Sequence, residues 1–211
     1  MSRVRIHNLA VSIDGFATGD GQSLESPFGH AGGRLMTWFF GTRTFQAMQG
    51  KDVAATPDDE FASRWGEGIG VEIMGANKFG PPGWHDDPDW RGWWGDEPPF
   101  HTPVFVMTHH VREPLVVGET TFHFVDGSPA EVLQLARAAA PGTDVRIGGG
   151  ADAVRQFLAA DLVDEMHIVR VPIVLGSGGS PWLGLDALEQ RFTIESTTTP
   201  SGVTHSVFRR R

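Results

Sequence analysis

The amino-acid sequence predicts an α/β protein with a mixed, mostly parallel sheet of about eight strands, flanking helices and a C-terminal β-hairpin. Short apolar runs bounded by glycine and other turn residues recur along the chain, which is typical of buried strands. Segments of helical period separate several of these runs, and parallel strands need such crossovers. The last two runs, 192–198 and 203–208, are joined by a Thr-Pro-Ser-Gly turn. This connection predicts an antiparallel pair at the end of the chain.

Six further strands are predicted before the hairpin, at 4–13, 69–74, 104–108, 121–125, 144–147 and 165–175. Four helices are predicted, at 34–48, 56–65, 128–139 and 151–160. Thr56 is expected to cap the second helix, with Pro57 at its first position. We interpret this short helix as a peripheral surface element.

The bulk composition narrows the classes of function. With 211 residues and no linker-like run, the chain is expected to form one domain over residues 1–211. A formal net charge of −9 disfavours binding to nucleic acid or to an anionic membrane, because both need a basic surface. The absence of cysteine excludes disulfides, a thiol nucleophile and thiolate metal ligands. No apolar run of about 18 residues occurs, so we expect a cytoplasmic protein.

Three consecutive glycines, Gly148 to Gly150, separate the strand at 144–147 from the helix at 151–160. A turn without side chains at the positive end of a helix leaves backbone N–H groups open to a phosphate. The alternative is a plain sharp turn between strand and helix. Gly148, Gly150 and Ala153 fit the G-x-G-x-x-A spacing, but a Rossmann fingerprint belongs to a first βαβ unit, and this one comes late in the chain.

The segment 80–103 contains four tryptophans among prolines, glycines and acidic residues. Such a loop either closes over a ligand or a subunit contact, or packs on its own domain as a tryptophan-stapled loop. His85 and three nearby aspartates invite a metal interpretation. We predict no metal site, because neither a calcium-type loop nor a histidine pair at helical spacing occurs.

The motif IGGGADAVRQFLAADLVDEMHIVRVPIVLGSG, together with the opening strand into SIDGFATG, resembles the RibD C-terminal (bifunctional deaminase-reductase) domain family of the dihydrofolate reductase-like superfamily. The resemblance covers nearly the whole chain and implies a dihydrofolate reductase-like fold. It also implies an NADPH-dependent reductase, often a homodimer, that transfers a hydride to a small heterocyclic, carbonyl or imine substrate. Related activities are those of dihydrofolate reductase and, in riboflavin biosynthesis, 5-amino-6-(5-phosphoribosylamino)uracil reductase.

The resemblance also implies which residues bind the cofactor. Residues against the phosphate bridge are those of the glycine turn and the helix start, namely Gly148, Gly149, Gly150, Ala151 and Asp152. The adenosine side is implied for Gly75, Asn77 and Lys78, and the 2′-phosphoribose for Thr108 and His109. Residues resembling the nicotinamide lining lie on the first strand, namely Ala10, Val11 and Ile13.

The sequence departs from the family pattern at three places. Ala76 stands where an arginine is usual, so Lys78 or Arg112 would have to supply the charge for a 2′-phosphate. Dihydrofolate reductases keep a carboxylate near the start of the first helix, which the segment 33–38 lacks. Riboflavin-pathway reductases usually carry a glutamate before the paired glycines, where this chain has Gly148.

Asp14 is the candidate catalytic residue, because it is the acid placed by sequence near the expected nicotinamide end. The alternative is a turn-forming aspartate before Gly15. Two other functions stay open: a dinucleotide-binding protein without turnover, and a protein that uses flavin.

A homodimer is expected partly on physical grounds. The apolar segment 163–175 contains Pro172, which favours an edge or bulged position, and a partner subunit could cover such an edge. In the sheet that the resemblance implies, the final hairpin at 192–208 would lie beside this segment, and the two could form a self-complementary two-fold contact. The competing interpretation is a monomer whose own tryptophan-rich loop covers it.

Overall fold

The computed structural model of the chain describes residues 2–211. Its strands are Val4–Ser12 (β1), Ile69–Gly75 (β2), Pro103–Met107 (β3), Leu115–Val117 (β4), Thr120–Val125 (β5), Asp144–Ile147 (β6), Glu165–Val171 (β7), Phe192–Thr198 (β8) and Thr204–Arg210 (β9). Its α-helices are Thr37–Phe40 (α1), Arg43–Met48 (α2), Asp59–Ala62 (α3), Ala76–Phe79 (α4), Pro129–Ala139 (α5) and Ala151–Ala159 (α6). Short 3-10 helices occur at Gly29–Met36, Ser63–Gly66, Trp84–Asp86 and Leu188–Arg191.

All nine strands form one sheet in the order β4-β5-β3-β2-β6-β1-β7-β9-β8. The six strands from β5 to β7 in this order run parallel. The outer strand β4 is antiparallel to β5, and the β8–β9 hairpin is antiparallel to β7. The predicted mixed, mostly parallel sheet with a C-terminal hairpin is confirmed, and the three-residue strand β4 adds a ninth member.

The two faces of the sheet carry different cores. On the first face, α5 and α6 pack on the central strands through residues such as Val132 and Phe157. On the second face, an apolar cluster around Trp38 lies at the β1–β7 end and another around Phe79 lies at the β3–β5 end. Within residues 2–211 no helix is long and apolar enough to span a membrane.

Two predicted helices differ from the structure. The helix expected at 34–48 is broken, because α1 ends at Phe40 and Thr42 caps a separate helix by accepting from the N–H of Phe45. Thr56 is not a helix cap either; its N–H and hydroxyl both donate to Asp59, where α3 begins. The interpretation of this helix as a peripheral surface element is wrong. Its residue Phe61 stacks on the ring of the buried His205, with 4.2 Å between centroids.

The edge interpretation of the segment 163–175 is also wrong. Strand β7 pairs with β1 on one side and β9 on the other, so it lies inside the sheet. Pro172 follows the last strand residue, Val171, and therefore removes no ladder hydrogen bond. The outer strand at this side is β8, and most of its side chains are exposed.

A buried chain of hydrogen bonds joins β1, β7, β9 and the residue before α3. His205 Nε2 lies 2.8 Å from Asp58 Oδ1, and His205 Nδ1 lies 3.0 Å from His167 Nε2. His167 Nδ1 in turn lies 3.0 Å from Asn8 Oδ1. Both histidines are fully buried, and burial lowers the pKa of His167 to about 2. Mainly through burial, the pKa of the neighbouring His7 falls to about 4.

These lowered pKa values predict that the protein loses stability on mild acidification. In the unfolded chain His7 and His167 take up protons near pH 6.5, whereas in the folded protein they stay neutral. The stabilisation is therefore complete above pH 6.5 and declines as pH falls toward the folded pKa values. Urea unfolding between pH 7 and pH 5 should show a loss of about 1 kcal/mol per pH unit from His167, with a further loss from His7.

The variant His167→Gln provides the control, because it removes one of the two titrating groups. Its unfolding free energy should fall less steeply over the same pH range, even if its absolute stability is lower. A wild-type free energy of unfolding that is constant from pH 7 to pH 5 would contradict the prediction.

Candidate functional site

The glycine turn Gly148–Gly150 lies at the carboxyl edge of the parallel strands, directly beside the end of β2. The N–H of Gly148 donates to the carbonyl of Ile73 at 2.8 Å, and the N–H of Gly75 donates to the carbonyl of Gly149 at 2.8 Å. A Cβ on Gly75 would lie 3.3 Å from the Cβ of Ala153. Glycine at residue 75 therefore allows β2 and α6 to approach closely. In open α/β sheets, ligands bind outside this edge.

The turn presents unpaired backbone donors. Among residues 2–211 we find no acceptor for the N–H groups of Gly149 and Gly150. Gly150 precedes the first residue of the nine-residue helix α6 and has no atom within 4 Å of where a Cβ would lie. In the first turn of α6 the carboxylate of Asp152 is held by Arg155 at 3.1 Å. The turn can therefore accept an anion on its open side.

A second glycine turn, Gly176 to Gly179, follows β7 and lies against the start of α6. The N–H of Gly179 donates to the carbonyl of Thr18 at 3.1 Å, and the N–H of Ala17 donates to the carbonyl of Gly179 at 2.9 Å. A Cβ on Gly179 would lie 3.1 Å from the Cβ of Ala151, at the start of α6. The loop after β1, the second glycine turn and the start of α6 thus meet at one place.

Three charged side chains lie beneath the glycine turn. Glu72, on β2, is fully buried and bonds Arg146 of β6 and Lys78 of α4. The ammonium of Lys78 lies 3.0 Å from Glu72 and donates to the carbonyl of Gly148 at 2.6 Å. Burial alone would raise the pKa of Glu72, but the charges of Arg146 and Lys78 outweigh it and lower that pKa. We call Glu72, Arg146 and Lys78 the buried triad.

The placement of Lys78 differs from the predicted contact with a 2′-phosphate. Its ammonium points inward to Gly148 and Glu72 and also lies 5.7 Å from the centre of the Phe100 ring. Arg112, the other candidate, donates to the carbonyl of Trp90 at 2.8 Å, and its guanidinium lies 4.4 Å from the centre of the Phe124 ring. Both cations are thus engaged within the protein.

A cleft of about 330 Å³ opens where β2, β3 and β5 end. Its lining includes three of the predicted cofactor residues, namely Asn77 from the adenosine side and Thr108 and His109 from the 2′-phosphoribose. Thr108 is buried, and its hydroxyl accepts from the N–H of His110 at 3.0 Å. His109 is exposed, with Nδ1 2.9 Å from Asp126. The cleft lies beside Ala76, which follows Gly75 at the end of β2.

The tryptophan-rich loop packs on its own sheet. Trp84 is buried edge-on against Phe79, Trp94 is parallel to the ring of Phe122, and the indole N–H of Trp90 donates to the carbonyl of Phe79. This arrangement agrees with the stapled-loop alternative. The loop also brings His85 to the wall of the cleft.

The predicted nicotinamide residues are not all on one surface. Ala10 and Val11 are buried on opposite faces of β1, in the cluster around Trp38 and the cluster under α6 respectively. Ile13 is 58% exposed, and it lines a separate cavity of about 170 Å³ with Arg170 and Pro172.

Asp14 is exposed and binds backbone. Its carboxylate accepts from the N–H of Gly176 at 2.7 Å and from that of Leu175 at 3.1 Å. A hydrogen bond with the Ser12 hydroxyl, helped by these N–H groups, lowers the pKa of Asp14 to about 2. Asp14 is thus a carboxylate at neutral pH, which disfavours a role as proton donor.

The family model of the RibD C-terminal domain matches residues 4–205. The chain belongs to the RibD C-terminal domain family. Membership implies a reductase. Among curated proteins, none matches this sequence.

Solved structures of RibD-type proteins share the fold. A protein from Shewanella sp. PV-4 described as a riboflavin biosynthesis protein is 21% identical, with a TM-score of 0.59 over 100% of this chain and 99% of that one. A pyrimidine reductase-like protein from Corynebacterium diphtheriae is 15% identical, with a TM-score of 0.52 over 100% and 92% of the two chains.

A bifunctional deaminase and 5-amino-6-(5-phosphoribosylamino)uracil reductase from Thermotoga maritima is 13% identical, with a TM-score of 0.56. All of this RibD C-terminal chain is covered, but only 57% of the Thermotoga chain. The dihydrofolate reductase-like fold implied by the sequence resemblance is confirmed.

This family member has a glycine at residue 148, one of the departures from the family pattern, and the space around that residue gives a structural reason for it. A Cβ on residue 148 would lie 2.6 Å from the carboxyl carbon of Glu72 and 2.7 Å from the ammonium of Lys78. The carboxylate of Glu72 therefore fills the space that a side chain at residue 148 would need. A glutamate lies beside the turn although residue 148 has no side chain.

Sequence reasoning missed Glu72 and Arg146 as site residues. Each interrupts an apolar run, Glu72 in VEIM and Arg146 in DVRI. Charged residues are almost never fully buried unless they are paired, so their positions in predicted strands were a usable signal. The stacking of His85 on His110 depends on the path of an irregular loop, which the sequence pattern does not give.

The buried triad predicts a large stability loss for Glu72→Gln. Removing the carboxylate leaves the buried guanidinium of Arg146 and the ammonium of Lys78 without their counter-ion. The expected loss in free energy of unfolding is about 3 kcal/mol, measured by urea denaturation.

Glu60→Gln is the matched control, because Glu60 pairs with Arg64 at 3.5 Å on the surface. This variant should lose less than about 1 kcal/mol. Equal small losses of unfolding free energy in the two variants would contradict the prediction, because Arg146 and Lys78 would then not need Glu72 as a buried counter-ion.

Proposed function

We propose that this RibD C-terminal family member is an NADPH-dependent reductase whose cofactor lies along the carboxyl edge of the sheet. One observation carries the proposal: unpaired backbone N–H groups of the glycine turn lie directly above the buried triad. The triad has two basic side chains and one carboxylate, which gives an excess of one positive charge when Lys78 is protonated. Burial lowers the pKa of Lys78, and the carboxylate of Glu72 acts in the opposite direction. In a protein of net charge −9 this local excess favours a bound anion.

The residues present fit a dinucleotide in part. Gly149, Gly150 and the N-terminus of α6 would hold the pyrophosphate, because their donors are open and Gly150 leaves room for close approach. Asn77, Thr108 and His109 would flank the adenosine ribose in the cleft. Ala10 and Val11 are buried on opposite faces of β1, so they would act on the nicotinamide end only by fixing the position of this strand. The exposed Ile13 is the one of the three that could contact the ring.

When bound, NADPH supplies a hydride to an electrophilic carbon of the substrate. The chain's own contribution is to orient the two reactants and to exclude water. Asp14 fixes the start of the second glycine turn through Gly176, and we assign it a positioning role. As a carboxylate it can accept a hydrogen bond from the substrate but not protonate it.

The substrate class is inferred from the family and from the names of its structural relatives. We propose a small nitrogen heterocycle or imine of the kind reduced in riboflavin biosynthesis, since one relative is named a 5-amino-6-(5-phosphoribosylamino)uracil reductase. The single domain, the homodimer and the cytoplasmic location implied by the sequence stay predictions. A solution mass near the single-chain value of 22.9 kDa would contradict the dimer.

A second candidate is a dinucleotide-binding protein without turnover. It is favoured by the ionised state of Asp14, which leaves the nicotinamide end without an assigned proton donor. Titration with NADPH and with FMN, followed by a substrate panel monitored at the nicotinamide absorbance, separates the candidates. Binding of NADPH with oxidation by one substrate class supports the reductase, and binding without oxidation supports the second candidate. Binding of FMN alone would contradict both.

The placement of the cofactor predicts that Gly150→Asp abolishes dinucleotide binding. A carboxylate beside the open N–H groups would repel a phosphate, and the affinity for NADPH should fall about 100-fold or more. The fold should tolerate this change, because residue 150 has φ of −71° and aspartate is a favourable residue before a helix. Gly149 is a less suitable site, since its φ is +116°.

Gly66→Asp is the charge-matched control. Gly66 lies just before β2, at the opposite edge of the sheet, with open space around it and no positive φ. Calorimetric titration should give an unchanged NADPH affinity for this variant. An unchanged affinity in Gly150→Asp, with the fold intact by circular dichroism, would overturn the placement.

A further inference from the structure

The cleft at the ends of β2, β3 and β5 has an unusual set of charges for a phosphate site. Its described lining contains no lysine or arginine. The side chains in it that can become positive are three imidazoles, those of His85, His109 and His110. Its one acidic side chain is Asp126.

Two of these imidazoles form a stacked pair. The rings of His85 and His110 are 3.4 Å apart between centroids and only 8° from parallel. His85 comes from the tryptophan-rich loop and His110 from the segment after β3, so the pair joins two walls of the cleft. Two adjacent positive charges repel each other, and an anion placed against them removes that cost.

Resting on the proposed function, we propose that His85 and His110 are the specificity-determining residues for the 2′-substituent of the dinucleotide. In their charged form the imidazoles bind a 2′-phosphate; in their neutral form they offer it no counter-charge. The affinity for NADPH relative to that for NADH therefore increases as pH falls through the range in which histidine gains a proton.

Other charged groups lie around the pair. Asp86 Oδ1 lies 3.7 Å from His85 Nε2. Asp126 faces the cleft but is paired with His109. The guanidinium of Arg112 lies over the ring of Trp84, the residue next to His85 in sequence.

Arg112 and Lys78 do not replace the histidines as phosphate ligands. The guanidinium of Arg112 is packed in an aromatic cluster and donates to the carbonyl of Trp90. The ammonium of Lys78 is bound to Glu72 and Gly148. Neither Lys78 nor Arg112 lines the cleft, whereas His85 and His110 do.

Calorimetric titration of the full chain with NADPH and with NADH, between pH 8 and pH 6, tests the proposal. We expect the ratio of the NADH to the NADPH dissociation constant to rise about tenfold on acidification, the value of one charge-assisted contact. Repeating the titrations in two buffers of different ionisation enthalpy should show proton uptake with NADPH and none with NADH.

Three variants decide whether the histidine pair is responsible. His110→Gln and His85→Gln should each flatten the pH dependence of the ratio. His101→Gln is the matched control, because His101 is exposed, pairs with Glu119 at 3.0 Å and lies outside the cleft. It should keep the wild-type pH dependence.

The outcomes distinguish a failure of the inference from a failure of the proposed function. If both cofactors bind with a ratio that is constant over this pH range, or if the pH dependence survives in both cleft variants, the inference is wrong and the proposed function stands. If His101→Gln flattens the ratio as much as His110→Gln does, the inference is also wrong. If neither cofactor binds, the proposed function fails and the inference fails with it.

Discussion

The burial of Glu72 between Arg146 and Lys78 is the interaction on which the candidate site depends. A carboxylate without solvent is costly unless it is paired. Here its two partners come from β6, which leads into the glycine turn, and from α4, which follows β2. Lys78 extends the pairing to the carbonyl of Gly148. The same contacts therefore neutralise a buried charge and fix the backbone that would face a phosphate.

This arrangement explains how an acidic protein can build an anion site. Net charge acts over long distances and is screened by salt within about 10 Å. The buried triad and the open N–H groups act at short range, where their excess positive charge dominates. The glycine at residue 148 belongs to the same construction, since the carboxylate of Glu72 fills the space of its missing side chain.

Local features were predictable from the sequence, and contacts between distant segments were not. The glycine turn, α6 and the C-terminal hairpin depend on neighbouring residues, so their pattern is visible in the chain. The break after Phe40 was missed because the apolar period of 34–48 continues across Gly41. The buried triad joins residues 72, 78 and 146. The series of hydrogen bonds from Asp58 to Asn8 joins three strands and the residue before α3. No periodicity encodes such pairings, although charged or histidine residues inside apolar strands mark where they occur.

A crystal structure of the chain grown with NADPH would show where the dinucleotide lies relative to the glycine turn. We expect pyrophosphate oxygens at about 3 Å from the backbone nitrogens of Gly149 and Gly150, with Lys78 still bound to Glu72 and Gly148. A dinucleotide whose phosphates lie away from the glycine turn would contradict the proposed site.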